Sequence, residues 1–138
     1  EQLTILNRTS ARAEALAFDM EKITGKPISI GTLDAQSQVR FFSEAGLVVN
    51  ATSLGMYPNL DETPLMTELA VHADLVLFDT VYNPLDTRMM AQFRSIGALA
   101  YGGLDMLVYQ GAKSFQIWTG MEPPVDLMKE TIINRFQT

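Results

Sequence analysis

The chain has 138 residues, a formal charge of −6, 47% hydrophobic residues, one histidine and no cysteine. That length carries one domain with a proper core, while the missing thiols exclude disulfides and thiol chemistry and fit a reducing cytoplasm, and one imidazole argues against a zinc site. The basic residues are dispersed, so neither a nucleic-acid footprint nor a polybasic membrane patch is visible, and no apolar run approaches the roughly 20 residues of a spanning helix.

In chain order, Leu3–Leu6 reads as a short strand and Ser10–Thr24 as a helix with Ala13, Leu16, Ala17, Met20 and Ile23 along one face. Gly25-Lys26-Pro27 stops it. Ile28–Ile30 is a second strand, Asp34–Ala45 a helix, and Leu47-Val48-Val49 a strand buried on both faces. The loop Asn50–Thr63 and a short helix around Pro64–Leu69 lead to a strand at Asp74–Phe78, followed by the loop Asp79–Pro84 and a helix over about Leu85–Ile96. Ala98–Tyr101 is the last strand, and helices over about Leu104–Thr119 and Val125–Phe136 close the chain.

Strands alternating with helices imply parallel pairing through crossovers. The predicted fold is α/β, a doubly wound Rossmann-like parallel sheet with C-terminal helices at about 104–136. In such sheets ligands sit at the carboxyl ends of the strands. Those ends are Asn7-Arg8-Thr9, Asn50-Ala51-Thr52-Ser53, Asp79-Thr80-Val81-Tyr82 and Gly102-Gly103, also the most chemically distinctive segments. No G-x-G-x-x-G precedes the first of them, so the pyrophosphate cradle of a dinucleotide site is expected outside this chain. Glu1-Gln2 also precedes a buried-looking strand without a methionine. Residues 1–138 therefore read as a partial domain truncated at its N-terminal βα unit, with an unpaired edge on the first strand.

Asn7, Arg8, Thr9 and Arg12 place two guanidinium groups and neutral donors at a strand tip that carries no carboxylate. An acidic residue there would accept the 2′-hydroxyl of NAD, whereas arginine accommodates the 2′-phosphate of NADP through paired, charge-assisted hydrogen bonds. The alternative is an ordinary helix start, with Thr9 or Ser10 as the N-cap and two solvated arginines. Thr52 and Ser53 could donate to a cofactor ring or ribose, or satisfy their own loop. Tyr82 offers an aromatic hydroxyl to a polar substrate, or anchors its loop on the core.

In the helix after Gly103, Leu104, Leu107, Val108, Gly111, Phe115 and Trp118 form the face expected against the core. Met106 and Gln110 lie on another face, where a thioether could pack on a nicotinamide and an amide could meet a substrate hydroxyl. His72 reads as a surface histidine, and the carboxylates along Asp126–Glu130 as a solvated helix start.

Taken together, Asn7-Arg8-Thr9 with Arg12, Asn50-Ala51-Thr52-Ser53-Leu54-Gly55-Met56, Asp79-Thr80-Val81-Tyr82-Asn83-Pro84 and Gly103-Leu104-Asp105-Met106-Leu107-Val108-Tyr109-Gln110-Gly111-Ala112 strongly resemble the shikimate dehydrogenase family. The resemblance covers essentially all of this chain but only the C-terminal half of a family member. It implies reduction of 3-dehydroshikimate to shikimate with NADPH, a step of aromatic amino-acid biosynthesis. Asn7, Arg8, Thr9 and Arg12 would bind the adenosine 2′-phosphate end, Thr52, Ser53, Thr80 and Val81 would border the cofactor, and Gly103 and Met106 would lie at the nicotinamide. Tyr82 and Gln110 would face the substrate. Asp105 stands where family members often have glycine. The catalytic lysine–aspartate pair belongs to the N-terminal domain, so no catalytic residue is expected here, and Lys113 and Asp79 are not substitutes.

The expectation is the NADP-binding portion of a cytoplasmic shikimate dehydrogenase, inactive alone, with a small-molecule substrate, no metal, no nucleic acid, no membrane and a possible homo-oligomer. Two alternatives stand beside it. A quinate/shikimate dehydrogenase using NAD as well would favour an acidic residue near Arg8, and a non-catalytic nucleotide-binding module would lack the upstream glycine-rich loop and substrate domain.

Overall fold

The computed structural model describes residues 2–136. Five parallel strands and five helices follow the predicted order: β1 (Leu3–Asn7), α1 (Ser10–Thr24), β2 (Ile28–Thr32), α2 (Ala35–Phe42), β3 (Leu47–Asn50), β4 (Val76–Asp79), α3 (Arg88–Ser95), β5 (Leu99–Tyr101), α4 (Leu104–Thr119) and α5 (Val125–Phe136). The short helix expected at Pro64–Leu69 is a single 3-10 turn at Glu68–Ala70.

The strands form two hydrogen-bonded sheets, β1-β2 and β3-β4-β5. No ladder joins the two sheets among the described residues. Among the described residues β1 pairs only with β2, as the expected unpaired edge requires.

Register explains which residues the core takes. Val48, Leu77 and Ala100 lie side by side across the larger sheet and turn toward α3, where Leu77, Phe93, Met90 and Phe42 form the main cluster. Leu47, Val76 and Leu99, then Val49, Phe78 and Tyr101, form two rows on the other face. Leu47 is 57% and Val49 52% exposed, so β3 is buried on one face only, against expectation. Side chains alternate along a strand, and α3 packs on the sheet from the side of Val48, Leu77 and Ala100.

Helix ends follow local chemistry. Gly25 closes α1 in the left-handed region, φ 66°, donating its amide to Glu21. Asp34 and Thr87 cap α2 and α3, accepting from the amides of Ser37 and Met90. The cap at Thr87 starts α3 three residues later than expected.

Two predicted faces are narrower than their periodicity suggests. In α1 only Ala13 and Ala17 are buried, while Leu16 and Ile23 are exposed, because a two-stranded ribbon cannot cover a four-turn stripe. In α4 the buried residues are Val108 and Ala112, and Trp118 is 82% exposed, because α4 packs on α5 rather than lying along the sheet. His72 is half-buried, with Nε2 3.1 Å from the carbonyl oxygen of Phe42, and so is an anchored residue rather than a free surface one.

Candidate functional site

The tip of β1 is built by its own side chains. Asn7 Oδ1 accepts from the amide of Thr9 at 2.9 Å, turning the chain from the strand into α1. Thr9 is the N-cap residue, but its hydroxyl makes no cap bond, so the first amides of α1 are not answered by that side chain. Arg8 and Arg12 are exposed beside this helix start, and among the described residues neither guanidinium has an ion-pair partner. Two free guanidinium groups over a helix N-terminus make an arrangement suited to a phosphate.

The second group of tips is tied together more tightly. Asn50 and Asp79 end β3 and β4 in register, and both are buried. Asn50 Nδ2 donates to Asp79 Oδ1 at 2.9 Å, and Asp79 also accepts from the amide of Val81 and from the Thr87 hydroxyl. Asn50 Oδ1 accepts from the amide and hydroxyl of Thr52, while the Asn50 carbonyl accepts from the amide and hydroxyl of Thr80. The hydroxyl protons of Thr52 and Thr80 therefore already have acceptors inside the loops. Ser53 is exposed at the same tip.

Helix α4 begins against this cluster. Gly103 donates its amide to the carbonyl of Val81 at 2.9 Å, and a Cβ on Gly103 would stand 2.2 Å from the Thr80 carbonyl oxygen. Only glycine lets these two backbone segments approach so closely. One turn on, Met106 is exposed, and Gln110 is exposed beyond it. Asp105, in the first turn of α4, forms an ion pair with Lys129 of α5 at 2.5 Å. That bond raises the Lys129 pKa above its ordinary 10.5. Lys129 is thus part of a helix–helix contact, while the carboxylates Asp126 and Glu130 are exposed, as expected of a solvated helix start.

Tyr82 is half-buried and stacks on Phe136 of α5, with ring centroids 6.0 Å apart. An open hollow beside it is lined by Tyr57, Asn83, Arg135 and Phe136. The amide of Tyr57 donates to the Asn83 carbonyl, which ties the loop after β3 to the loop after β4. Thr52, Thr80, Val81, Tyr82, Gly103 and Met106 therefore belong to one continuous region. Asn7, Arg8, Thr9 and Arg12 belong to the tip of the other sheet. Sequence reasoning passed over Asn50, Asp79 and Thr87 as parts of this site. The signal for Asn50 and Asp79 was a polar residue at the last position of each of two adjacent apolar strands, and for Thr87 a hydroxyl at a helix start.

Among the described residues no cluster of histidine and acidic side chains could hold a metal ion, and no helix is long and apolar enough to cross a membrane.

The fold and these tips can be set beside known proteins. The profile of the family described as Shikimate 5'-dehydrogenase C-terminal domain matches residues 103–133. The NADP(+) shikimate dehydrogenase of Methanosarcina barkeri is 42% identical over 99% of this chain and 48% of its own length. The chain is thus similar over nearly its whole length to about half of a shikimate dehydrogenase, and over residues 103–133 to that family's C-terminal domain. It spans about half the length of the curated relatives it matches. A crystal structure of a shikimate dehydrogenase in complex with NADP+ superposes with a TM-score of 0.88 at 35% identity, covering 98% of this chain and 47% of that one. The Listeria monocytogenes shikimate 5-dehydrogenase, solved with shikimate and NAD, superposes at 0.86 with 32% identity, covering 96% of this chain and 47% of that one. The Rossmann-like architecture read from the alternation of strands and helices is thus that of this family.

Proposed function

We propose that this chain is the NADP-binding half of a shikimate dehydrogenase, acting within a longer protein that reduces 3-dehydroshikimate to shikimate. The observation that carries the reading is the pair Arg8 and Arg12 at the tip of β1, exposed and without an acidic partner among the described residues. Asn7, Arg8, Thr9 and Arg12 hold the adenosine 2′-phosphate. Thr52, Ser53, Thr80 and Val81 border the dinucleotide, with Gly103 and Met106 at its nicotinamide end. When bound, NADPH supplies the hydride. Tyr82 and Gln110 bind the substrate and orient it from the side of α4 and α5.

The residues fit that cofactor in their chemistry. Guanidinium groups and open helix amides are donors only, which suits a phosphate, and they would be poor acceptors for a bare ribose hydroxyl. The thioether of Met106, 44% exposed in the first turn of α4, offers a polarizable apolar surface for a flat ring. Domain 1–138 acts as a unit in this reading, with α4 and α5 as its substrate-facing side.

Solved relatives hold either NADP+ or NAD, so the arginine pair should decide the preference. Calorimetry with adenosine 2′,5′-bisphosphate and with 5′-AMP separates the 2′-phosphate from the rest of the nucleoside. A hydrogen bond to a charged group contributes about 1.5–3 kcal/mol; Arg8 is exposed, so Arg8→Ala should weaken the bisphosphate by about tenfold, the lower end of that range. Binding of 5′-AMP should be unchanged. Equal losses for the two ligands would refute the assignment.

A further inference from the structure

The buried pair at the tips of β3 and β4 does more than fill space. Each of the three donors that reach the Asp79 carboxylate comes from a different segment: Asn50 from the end of β3, Val81 from the loop after β4, and Thr87 from the cap of α3. The effect spreads one bond further in each direction. Asn50 orients Thr52 through Oδ1, Val81 receives the amide of Gly103 at the start of α4, and Thr87 accepts from Met90 within α3. Asp79 is completely buried, and no buried polar side-chain atom among the described residues is left without a partner. Such fully satisfied buried networks fix one arrangement of the groups they join, because any other arrangement strands a polar atom away from water.

We propose that Asp79 is a positioning residue that locks the loop after β3 to the loop after β4 through Asn50, and so sets the spacing of Thr52, Thr80 and Val81. This rests on the reading of those residues as bordering the cofactor. The two oxygens of Asp79 divide the work. Oδ1 serves Asn50 and Val81, the loop side, and Oδ2 serves Thr87, the helix side. Asp79→Asn can therefore keep the loop side intact by retaining its oxygen there, while its NH2 group meets the Thr87 hydroxyl. Asp79→Ala cuts both sides, and Thr87→Ala cuts the helix side alone.

Amide hydrogen exchange on the purified chain tests this without any nucleotide. The reporters are Thr52, whose amide bonds to Asn50 Oδ1, and Met90, whose amide bonds to Thr87. Leu33, whose amide bonds to Asn7 in the other sheet, is the reference. In Asp79→Ala, exchange at Thr52 relative to Leu33 should rise about tenfold, the lower part of the range for stranding a buried partner. In Thr87→Ala that ratio should stay at the wild-type value while Met90 exchanges faster. If Asp79→Ala does not fold, Asp79→Asn carries the test, with Met90 loosened and Thr52 unchanged. A Thr52 ratio that rises as much in Thr87→Ala or Asp79→Asn as at Met90, or that fails to rise in folded Asp79→Ala, overturns the proposal. Added NADP+ then separates it from the cofactor assignment. In Asp79→Ala the amide shifts at Thr80 and Val81 should be lost and those at Arg8 and Thr9 kept. Equal loss at both tips counts against positioning, and no shift at any of them in the wild-type chain overturns the cofactor assignment while the exchange result still stands or falls alone.

Discussion

Gly103 provides the sharpest quantitative test of how α4 is seated. A methyl group there would meet the Thr80 carbonyl oxygen at 2.2 Å, the Thr80 carbonyl carbon at 2.6 Å and the Val81 carbonyl oxygen at 3.0 Å. All three are backbone atoms of the loop just after β4, so no side-chain rotation relieves the contact. Either α4 lifts away and breaks the Gly103–Val81 hydrogen bond, or the strand tip shifts. Overpacking a tight site costs about 1–3 kcal/mol, and a broken buried bond adds about 1–3 kcal/mol. Gly103→Ala should then destabilise by roughly 4 kcal/mol, the middle of the combined range, lowering the melting temperature by on the order of 10 °C for a domain of this size. Gly111→Ala is the control within the same helix. Its new methyl meets only the flexible end of Met128 at 3.3 Å, and the gain in helix propensity is up to about 1 kcal/mol. Both variants are compared by urea unfolding and by calorimetry. A loss below about 1 kcal/mol in Gly103→Ala, or equal losses in the two variants, would refute the claim that this glycine is required by a backbone contact.

The remaining expectations concern pH and turnover. The Asp34 carboxyl is held below its ordinary 3.8, chiefly by the amide of Ser37 and then by the Thr32 hydroxyl, so its contribution is fully present above pH 3.8 and is lost as pH falls through the lower folded value. Asp34→Ala should flatten the acid limb of the stability profile below pH 4 and leave its shape above pH 5 unchanged; an unchanged acid limb would count against the cap. The purified 138-residue chain should show no shikimate-dependent reduction of NADP+, because the resemblance places the catalytic lysine and aspartate in the other half of the enzyme; turnover on the order of 10 per second, typical of intact enzymes, would overturn that placement.

Elements with strong local punctuation were legible in the sequence. The bounds of α1, α4 and α5 agree with the pattern, since Gly25 and Gly120 end two of those helices in the left-handed region and Pro123-Pro124 precede the third. Depth was harder to read. The apolar run Leu47-Val48-Val49 cannot say whether both faces of a strand are covered, because that depends on elements brought from elsewhere in the chain. Trp118 misled in the same way, by falling on a helical stripe in a region where the helix has left the sheet. The basic tip Arg8–Arg12 stands out in the sequence because charge and position coincide in one short segment. The Asn50–Asp79–Thr87 network does not, since its partners lie 29 and 8 residues apart and meet only once β3 and β4 are in register.

The division of the strands into two sheets raises a question of mechanics. The tip of β1 and the tips of β3 and β4 are not joined by a hydrogen-bonded ladder among the described residues, yet a dinucleotide bound as proposed would need them at a fixed separation. Helix α2, the crossover between β2 and β3, is the element that joins them. Its Gln38 is buried, donating to the Pro64 carbonyl at 2.7 Å and accepting from the Met66 amide at 2.7 Å. Phe42, at the end of the same helix, enters the main core cluster, and Leu6 of β1 packs against that cluster from the other sheet. Gly31 of β2 adds a steric limit, since a Cβ there would lie 2.8 Å from both Leu6 and Phe41 side-chain atoms. A charge-free amide satisfied on both sides is well suited to such a joint, because sliding α2 would strand two backbone groups at once. The arginine tip is thereby held to the larger sheet by packing around α2, and under the proposed assignment the separation of the adenosine and nicotinamide ends becomes a property of that crossover.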